Sequence, residues 1–131
     1  MDSQFVQSLL DEFEQQFRRR EELEVYRAPG RVNLIGEHTD YNQGLVLPVA
    51  IDRACYVVSG PNPAGYLEVR SANAEGARKW PIGGIGLLKK ASHWSDYVAG
   101  VAQEIEKKGV RLRSARPSVR RTVPVGMGLS S

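Results

Sequence analysis

The sequence predicts an α+β fold, in which helices and strands alternate irregularly along the chain. Apolar residues recur every four positions between Phe5 and Phe17, which is typical of an amphipathic helix. From Leu23 onward the pattern changes to short apolar runs separated by glycine and proline, which indicates strands. A second helical repeat lies between residues 94 and 108. The order helix, strands, helix, strand and glycine-rich loop favours a sheet with helices packed against it.

The first helix is predicted over residues 3–22, with Ser3 at its N-cap because a serine hydroxyl can accept from a free backbone N–H of the first turn. Residues 62–65 are predicted to form a turn, and residues 83–86 a glycine-rich connecting loop. The predicted strands between the two helices are 24–27, 32–35, 45–49, 54–59 and 66–70.

The second helix is predicted over residues 94–108, with Ser92 or Ser95 at its start and Gly109 just after its end. A last strand, 118–123, is predicted to lead into the glycine-rich loop, although its sequence is basic and follows a proline. The apolar face of the second helix is expected to lie in the core; its members are Trp94, Tyr97, Val98, Val101, Ala102 and Ile105.

Length and composition restrict the class of protein. The 131 residues, 41% hydrophobic and 25% charged, suit one globular domain. No apolar run is long enough to span a membrane, and the first residues lack the features of a signal peptide, so we expect a cytoplasmic protein without a membrane partner. Cys55 is the single cysteine, and its apolar neighbours predict a small packing residue rather than a reactive thiol.

The net charge of +3 is concentrated near the C-terminal end of the chain. No aromatic residues interleave with these arginines, and no nucleic-acid-binding motif accompanies them, so we expect no nucleic-acid partner. We interpret the patch as a solvated face or as a surface that meets another part of the protein. Its members are Arg111, Arg113, Arg116, Arg120 and Arg121.

The segment from Gly30 to Asn42 contains unusually many polar groups for a structural turn. The carboxylates of Glu37 and Asp40 can each accept hydrogen bonds from sugar hydroxyls, and His38 adds a donor or an acceptor. Arg31 stays protonated, so it is suited to stabilise anionic charge on a transferring phosphoryl group.

Two alternatives to a sugar site remain open for this segment. It can be a solvated surface loop in which Arg31 pairs with Glu37 and His38 bonds to the backbone. Metal binding is disfavoured, because His38 and Asp40 offer only two ligands and no cysteine is near.

The second candidate site is the loop 124–131. Gly126 and Gly128 allow positive φ and expose successive backbone N–H groups, which bind anions, and a following helix would add further N–H donors. Ser130 and Ser131 add hydroxyls for phosphate or Mg²⁺. A purely structural turn is the alternative, since the pattern is neither a Walker motif nor a protein-kinase glycine loop.

Several segments, read together and in order, resemble one family. Residues 28–42 (APGRVNLIGEHTDYN) resemble the galactokinase signature, and residues 44–53 continue it. Residues 94–101 resemble the next helix of that family, and residues 124–131 resemble the ATP loop of its superfamily of galactose, homoserine, mevalonate and phosphomevalonate kinases. The resemblance implies a two-domain kinase fold. Residues 1–131 would form its N-terminal domain, which has a mixed sheet and is truncated here at the ATP loop.

The resemblance also implies an activity: ATP and α-D-galactose give galactose 1-phosphate and ADP. Arg31 resembles the residue that stabilises the transition state beside the anomeric hydroxyl. The implied sugar-binding residues are Glu37, His38, Thr39 and Asp40. The implied nucleotide-binding residues are Gly126, Met127, Gly128, Leu129, Ser130 and Ser131.

The family's Mg²⁺ ligands and its catalytic aspartate correspond to positions beyond Ser131, so we expect no kinase activity from these 131 residues alone. The partners implied are D-galactose and ATP, and a monomer is expected for the complete protein. Thr122 and Met127 depart from the residues usual in the family. Two other functions remain open: a non-catalytic regulator that binds galactose and ATP, and a kinase for N-acetylgalactosamine or another sugar.

Overall fold

A computed structural model describes residues 2–36 and 38–124, with the backbone alone for Asp40. Short 3₁₀ turns occupy Asp40–Asn42 and Ile85–Leu87. The helices and strands, in chain order, are α1 (Ser3–Phe17), β1 (Glu24–Ile35), β2 (Leu47–Pro61), β3 (Tyr66–Ser71), β4 (Arg78–Pro81), α2 (Asp96–Lys107) and β5 (Ala115–Arg121).

The strands form one five-stranded mixed sheet in the order β1-β2-β5-β3-β4. β3 and β5 are parallel, whereas the other neighbouring pairs are antiparallel. The α+β fold and the mixed sheet are therefore confirmed. Among the described residues, none of the helices combines the length and the apolar character needed to cross a membrane.

The two helices cover opposite faces of the sheet. α1 packs on Ala54, Tyr56 and Val58 of β2. Tyr56 pairs with Arg120 of β5 and Val58 with Ser118, so these two residues lie on the same face of the sheet. α2 packs in a separate apolar cluster with Val69 of β3, which points away from α1 because successive side chains of a strand alternate between faces. The hairpin of β1 and β2 lies at one edge of the sheet, with β1 as the outermost strand.

The ends of α1 differ from the prediction. Asp2, not Ser3, is the N-cap, and its Oδ1 accepts from the backbone N–H of Gln4 at 3.2 Å. The helix ends at Phe17, five residues before the predicted end, because Arg18 adopts a left-handed conformation (φ 56°) and its N–H donates to the carbonyl of Glu14. The next residues are charged and supply no apolar face to continue the helix.

Four of the predicted strands join into two long ones. The runs 24–27 and 32–35 both lie in β1, because Pro29 and Gly30 are accommodated by an irregularity in the pairing with β2 rather than by a break. The runs 45–49 and 54–59 similarly belong mainly to β2. β4 was missed, since only Trp80 of this short charged strand enters the core.

The prediction for the apolar face of α2 is wrong in part. The buried residues of this helix are the small Ala99 and Ala102, whereas Tyr97 is 85% and Val101 62% exposed. Small side chains let the helix approach the sheet closely, whereas Tyr97 and Val101 are turned to its outer side and Val98 packs in part against the cluster. Ser95 occupies the N-cap position without a side-chain hydrogen bond to the helix.

The basic segment does form a strand, over 115–121 rather than 118–123. Two of its arginines face α1 and β3 instead of solvent. Arg120 lies 3.5 Å from a Glu12 carboxylate oxygen and 5.3 Å from the centre of the Phe5 ring, and Arg116 lies 3.8 Å from a Glu68 oxygen. The interpretation of the whole patch as an outer surface is therefore wrong for Arg116, which the buried Glu68 attracts inward, and holds only in part for Arg120, which lies against α1 but stays about one-third exposed.

Cys55 is partly buried on β2, and this burial raises the pKa of its thiol, with Arg121 acting in the opposite direction. The raised pKa keeps the thiol protonated near neutral pH. This agrees with a packing role rather than a reactive one.

Candidate functional site

The polar segment identified in the sequence is the connection between β1 and β2. The two strands pair from Glu24 with Ser59 to Ile35 with Leu47, so residues 36–46 join them at one end of the hairpin. The connection is held closed around Thr39. Its Oγ1 lies 2.9 Å from the carbonyl oxygen of Gly36 and 3.1 Å from that of Leu45. These carbonyls lie at the two ends of the connection, so a short side chain holds both ends together.

Glycines are required at two places in this connection. Gly36 has φ +97°, and a Cβ there would lie 2.4 Å from the carbonyl oxygen of Leu45. At Gly44 a Cβ would lie 2.6 Å from the Cβ of Thr39, and the Gly44 N–H donates to the Thr39 carbonyl at 2.7 Å. The backbone is therefore too tightly folded for side chains at these positions.

Thr39 was predicted to bind the sugar, but in the structure its hydroxyl bonds within the loop. We expect Thr39→Val to weaken the closure by about 1 kcal/mol, because the hydroxyl hydrogen bond is lost. The Gly44 amide should then exchange with deuterium about fivefold faster, as measured by hydrogen exchange. Thr39→Ser keeps the hydroxyl and is the control. Unchanged exchange in Thr39→Val, with weaker galactose binding, would instead favour a direct sugar contact.

His38 is exposed and has a left-handed backbone (φ 59°), a conformation that is uncommon for residues other than glycine. Its Nδ1 lies 2.6 Å from the phenol oxygen of Tyr41, and its carbonyl accepts from the side-chain amide of Asn42 at 3.0 Å. The imidazole therefore bonds to a side chain. Among the described residues, no backbone group bonds to this ring, which differs from the solvated-loop alternative.

Arg31 lies on β1 opposite Ala50 of β2, and its side chain is exposed. Within residues 2–36 and 38–124, no carboxylate pairs with it. Glu37 and the side chain of Asp40 lie outside the described part of the chain. The sugar contacts predicted for the two carboxylates therefore remain predictions, and the alternative in which Arg31 pairs with Glu37 remains open.

The start of the glycine-rich loop is close to the start of the signature. Val123 is buried, and a Cβ built on Gly30 would lie only 2.8 Å from its Cγ2. The backbone that precedes the loop thus packs directly against the residue before Arg31. Residues 125–131, including Gly126, Met127, Gly128, Leu129, Ser130 and Ser131, lie outside the described residues.

Two side chains that the sequence analysis did not predict as functional fix the end of β5, just before that loop. The Thr122 hydroxyl lies within 3.0 Å of both backbone polar groups of Ala54 on β2. The amide of Asn73, beyond β3, exchanges two hydrogen bonds with the backbone of Arg121. These contacts join residues 48 and 68 positions apart, so no local pattern could have indicated them. Thr122 thus has a structural use, because its hydroxyl holds the end of β5 against β2.

No group of three histidine, cysteine, aspartate or glutamate side chains that could hold a metal ion is found in the described part of the chain. A cleft of about 640 Å³, which the sequence did not indicate, lies at the start of α2, with Trp94, His93 and Lys89 in its wall.

Comparison with known proteins bears on the signature directly. Residues 11–61 match the family model described as the galactokinase galactose-binding signature. The chain is 45% identical over 105 residues to a galactokinase of Thermosipho africanus and 41% identical over 107 residues to one of Chloroflexus aurantiacus. The chain is a relative of the galactokinases. The alignment with the Thermosipho protein covers 80% of this chain but only 28% of that protein. The alignment with the Chloroflexus protein covers 82% of this chain and 27% of that protein.

Solved structures agree with this relationship. The structure of Lactococcus lactis galactokinase complexed with galactose superposes with a TM-score of 0.88 at 28% identity, over 97% of this chain and 33% of that one. Methanococcus jannaschii mevalonate kinase superposes with a TM-score of 0.69 at 13% identity, over 85% of this chain and 36% of that one, which shows a shared fold. The sheet and its two helices thus correspond to the N-terminal domain of the galactokinase fold.

Proposed function

We propose that this chain is the sugar-binding part of an ATP-dependent kinase that phosphorylates D-galactose at its anomeric hydroxyl to give galactose 1-phosphate and ADP. The observation that carries the proposal is the contact between Gly30 and Val123. Because of this contact, Arg31 is next to the backbone that leads into the glycine-rich loop. Phosphoryl transfer requires the acceptor and the donor phosphates to be held side by side.

The proposed roles follow from the chemistry of each side chain. Glu37 and Asp40 accept hydrogen bonds from galactose hydroxyls, and His38 supplies a further polar contact. Arg31, on a paired strand rather than in the loop, offers a fixed positive charge to the phosphoryl group as negative charge develops on it. The matched galactose-binding signature and the galactose complex of the Lactococcus relative support this assignment of the sugar.

The second substrate in the proposal is ATP, which supplies the phosphoryl group. The backbone N–H groups of residues 126–131 would hold its phosphates, and the hydroxyls of Ser130 and Ser131 would assist. We propose that Mg²⁺ is held by residues that follow Ser131 in the family, so no step is assigned to a metal bound by the described residues. Because those residues are needed for phosphoryl transfer, we propose that the 131 residues alone bind galactose but do not transfer a phosphoryl group.

The test is a titration of the ¹⁵N-labelled chain with D-galactose, followed by amide chemical shifts. We expect saturable shifts confined to residues 30–46, with a dissociation constant near 1 mM, or about −4 kcal/mol. D-glucose is the control for selectivity, and N-acetylgalactosamine and arabinose test the alternative sugars. Shifts spread over the whole molecule, or equal for galactose and glucose, would contradict the proposal.

A further inference from the structure

We propose that Tyr41 is a positioning residue for His38. Its phenol hydroxyl donates to Nδ1 and thereby keeps the imidazole proton on Nε2, which then donates to a hydroxyl oxygen of the bound sugar. This inference rests on the proposed function, because it concerns how the same loop recognises galactose. Neither the match to the signature nor the similarity to galactokinases assigns a role to the tyrosine.

The first argument is the direction of the hydrogen bond. A neutral imidazole has one nitrogen that donates and one that accepts. The Tyr41 oxygen lies 2.6 Å from Nδ1, which is typical of a strong bond. A phenol hydroxyl is a good donor, whereas its oxygen is a weak acceptor because its electrons are delocalised into the ring. Nδ1 of His38 is therefore the acceptor, and the proton is on Nε2.

The second argument is that the backbone fixes both partners. His38 and Tyr41 are three residues apart, and the 3₁₀ turn Asp40–Asn42 begins between them. The backbone N–H of Asn42 donates to the Thr39 carbonyl at 3.1 Å, and its side chain donates to the His38 carbonyl at 3.0 Å. The two rings meet at 68° with centroids 6.0 Å apart. The histidine is thus held on both its backbone and its ring.

The third argument is the need for donors in a site rich in carboxylates. Glu37 and Asp40, when ionised, can only accept hydrogen bonds. A sugar hydroxyl that donates to a carboxylate still has oxygen lone pairs that accept. Glu37 and the side chain of Asp40 lie outside the described part of the chain; among the described groups, none accepts from Nε2 of His38, and the ring is exposed. An Nε2–H therefore complements the acceptors, whereas an unprotonated Nε2 would add a further acceptor.

The experiment reads the tautomer of His38 in the free chain from the ¹⁵N shifts of its ring nitrogens at a pH where the ring is neutral. We expect the wild type to show a single Nε2–H tautomer and Tyr41→Phe to show both. Tyr97→Phe is the matched control, since Tyr97 is 85% exposed. His93 provides an internal reference in every sample. An unchanged tautomer in Tyr41→Phe would overturn the inference.

A second variant separates the hydroxyl from the ring. Tyr41→Ala removes both, and the inference expects the same tautomer mixture as in Tyr41→Phe. A mixture in Tyr41→Ala alone would assign the effect to ring packing and overturn the role of the hydroxyl. Because Tyr41 is 70% exposed, both variants are expected to keep the dispersed amide spectrum of the folded sheet.

Galactose titration then connects the tautomer to recognition. Tyr41→Phe should bind galactose about fivefold more weakly than the wild type and Tyr97→Phe, the effect of losing one ordinary hydrogen bond. Equal affinity, with an altered tautomer, would overturn the link to the sugar. Absence of galactose binding in the wild type would overturn the proposed function instead, and the tautomer measurement in the free chain distinguishes that result from a failure of the pairing.

Discussion

Gly36→Ala is expected to abolish galactose binding and to open the connection between β1 and β2. The backbone at Gly36 has φ +97°, where an alanine is strained, and its Cβ would lie 2.4 Å from the Leu45 carbonyl oxygen and 2.9 Å from the Cα of Val46. Both are backbone atoms, so no side-chain rotation relieves the clash. We expect a loss of about 2 to 3 kcal/mol of folding free energy, of which about 1 kcal/mol is the backbone strain.

A second glycine provides a matched control for this variant. Gly65 also has a positive φ, +80°, but no atom outside its chain neighbours lies within 4 Å of a Cβ built there. Gly65→Ala therefore carries the backbone strain without the clash, and should lose only about 1 kcal/mol. Urea unfolding measures both losses, and galactose titration measures the site. Equal losses in the two variants would mean that the loop relaxes easily and is not closely packed.

The glycine result also tests how the loop acts as a unit. The clash would push Leu45 away from Gly36, and the Thr39 hydroxyl bonds to both of those residues. Thr39 lies between His38 and the 3₁₀ turn Asp40–Asn42. A change at Gly36 should therefore alter the tautomer of His38 as well as the affinity for galactose, even though alanine removes no polar group.

The signature itself could be predicted from the sequence, because it is a local feature. Arg31, the two carboxylates and His38 lie within ten consecutive positions, and the chemistry of their side chains was enough to indicate a candidate sugar site. The use of Thr39 was not predictable in the same way. A hydroxyl can contact ligand or backbone, and only the fold of the connection brings the Gly36 and Leu45 carbonyls within its reach.

The larger differences arise where tertiary contacts override local pattern. Tyr97 and Val101 of α2 are apolar, yet the buried residues of the helix are Ala99 and Ala102, since close packing favours small residues there. Similarly, the charged residue Arg116 does not indicate a strand in the local sequence. Its partner, Glu68, is 48 positions away, and no pattern within one segment reports such a pair.

Glu68→Gln is expected to be strongly destabilising. Glu68 is 4% exposed on β3, with Lys79 of β4 and Arg116 of β5 on its two sides. Its Oε1 lies 3.1 Å from Arg70 Nη2, and Nη1 of Arg116 is buried without a hydrogen-bond partner among the described residues. Glutamine keeps the shape of the side chain but leaves the largely buried Arg116 without its anion, whereas Arg70 and Lys79 are exposed enough for solvent to compensate. We expect a loss of about 3 kcal/mol in urea unfolding.

The control for this variant is Glu104→Gln, which removes the same charge from an exposed pair. Glu104 and Lys107 are each about two-thirds exposed, so solvent screens their attraction and the loss should be about 0.5 kcal/mol or less. The difference between the two variants measures the effect of burial rather than of net charge. Similar losses in both would mean that the arginines contribute mainly apolar contact to the sheet.

The effect of Glu68→Gln should also reach the candidate site. Arg116 belongs to β5, and β5 ends two residues before Val123, which packs against Gly30 next to Arg31. A loosened β5 would therefore change the amide shifts of Gly30 and Arg31 in the folded protein. Connection 36–46 is closed by its own hydrogen bonds, so galactose affinity should fall much less than in Gly36→Ala. A stability loss at Glu68 with unchanged shifts at Gly30 would show that β5 and the signature are not coupled through Val123.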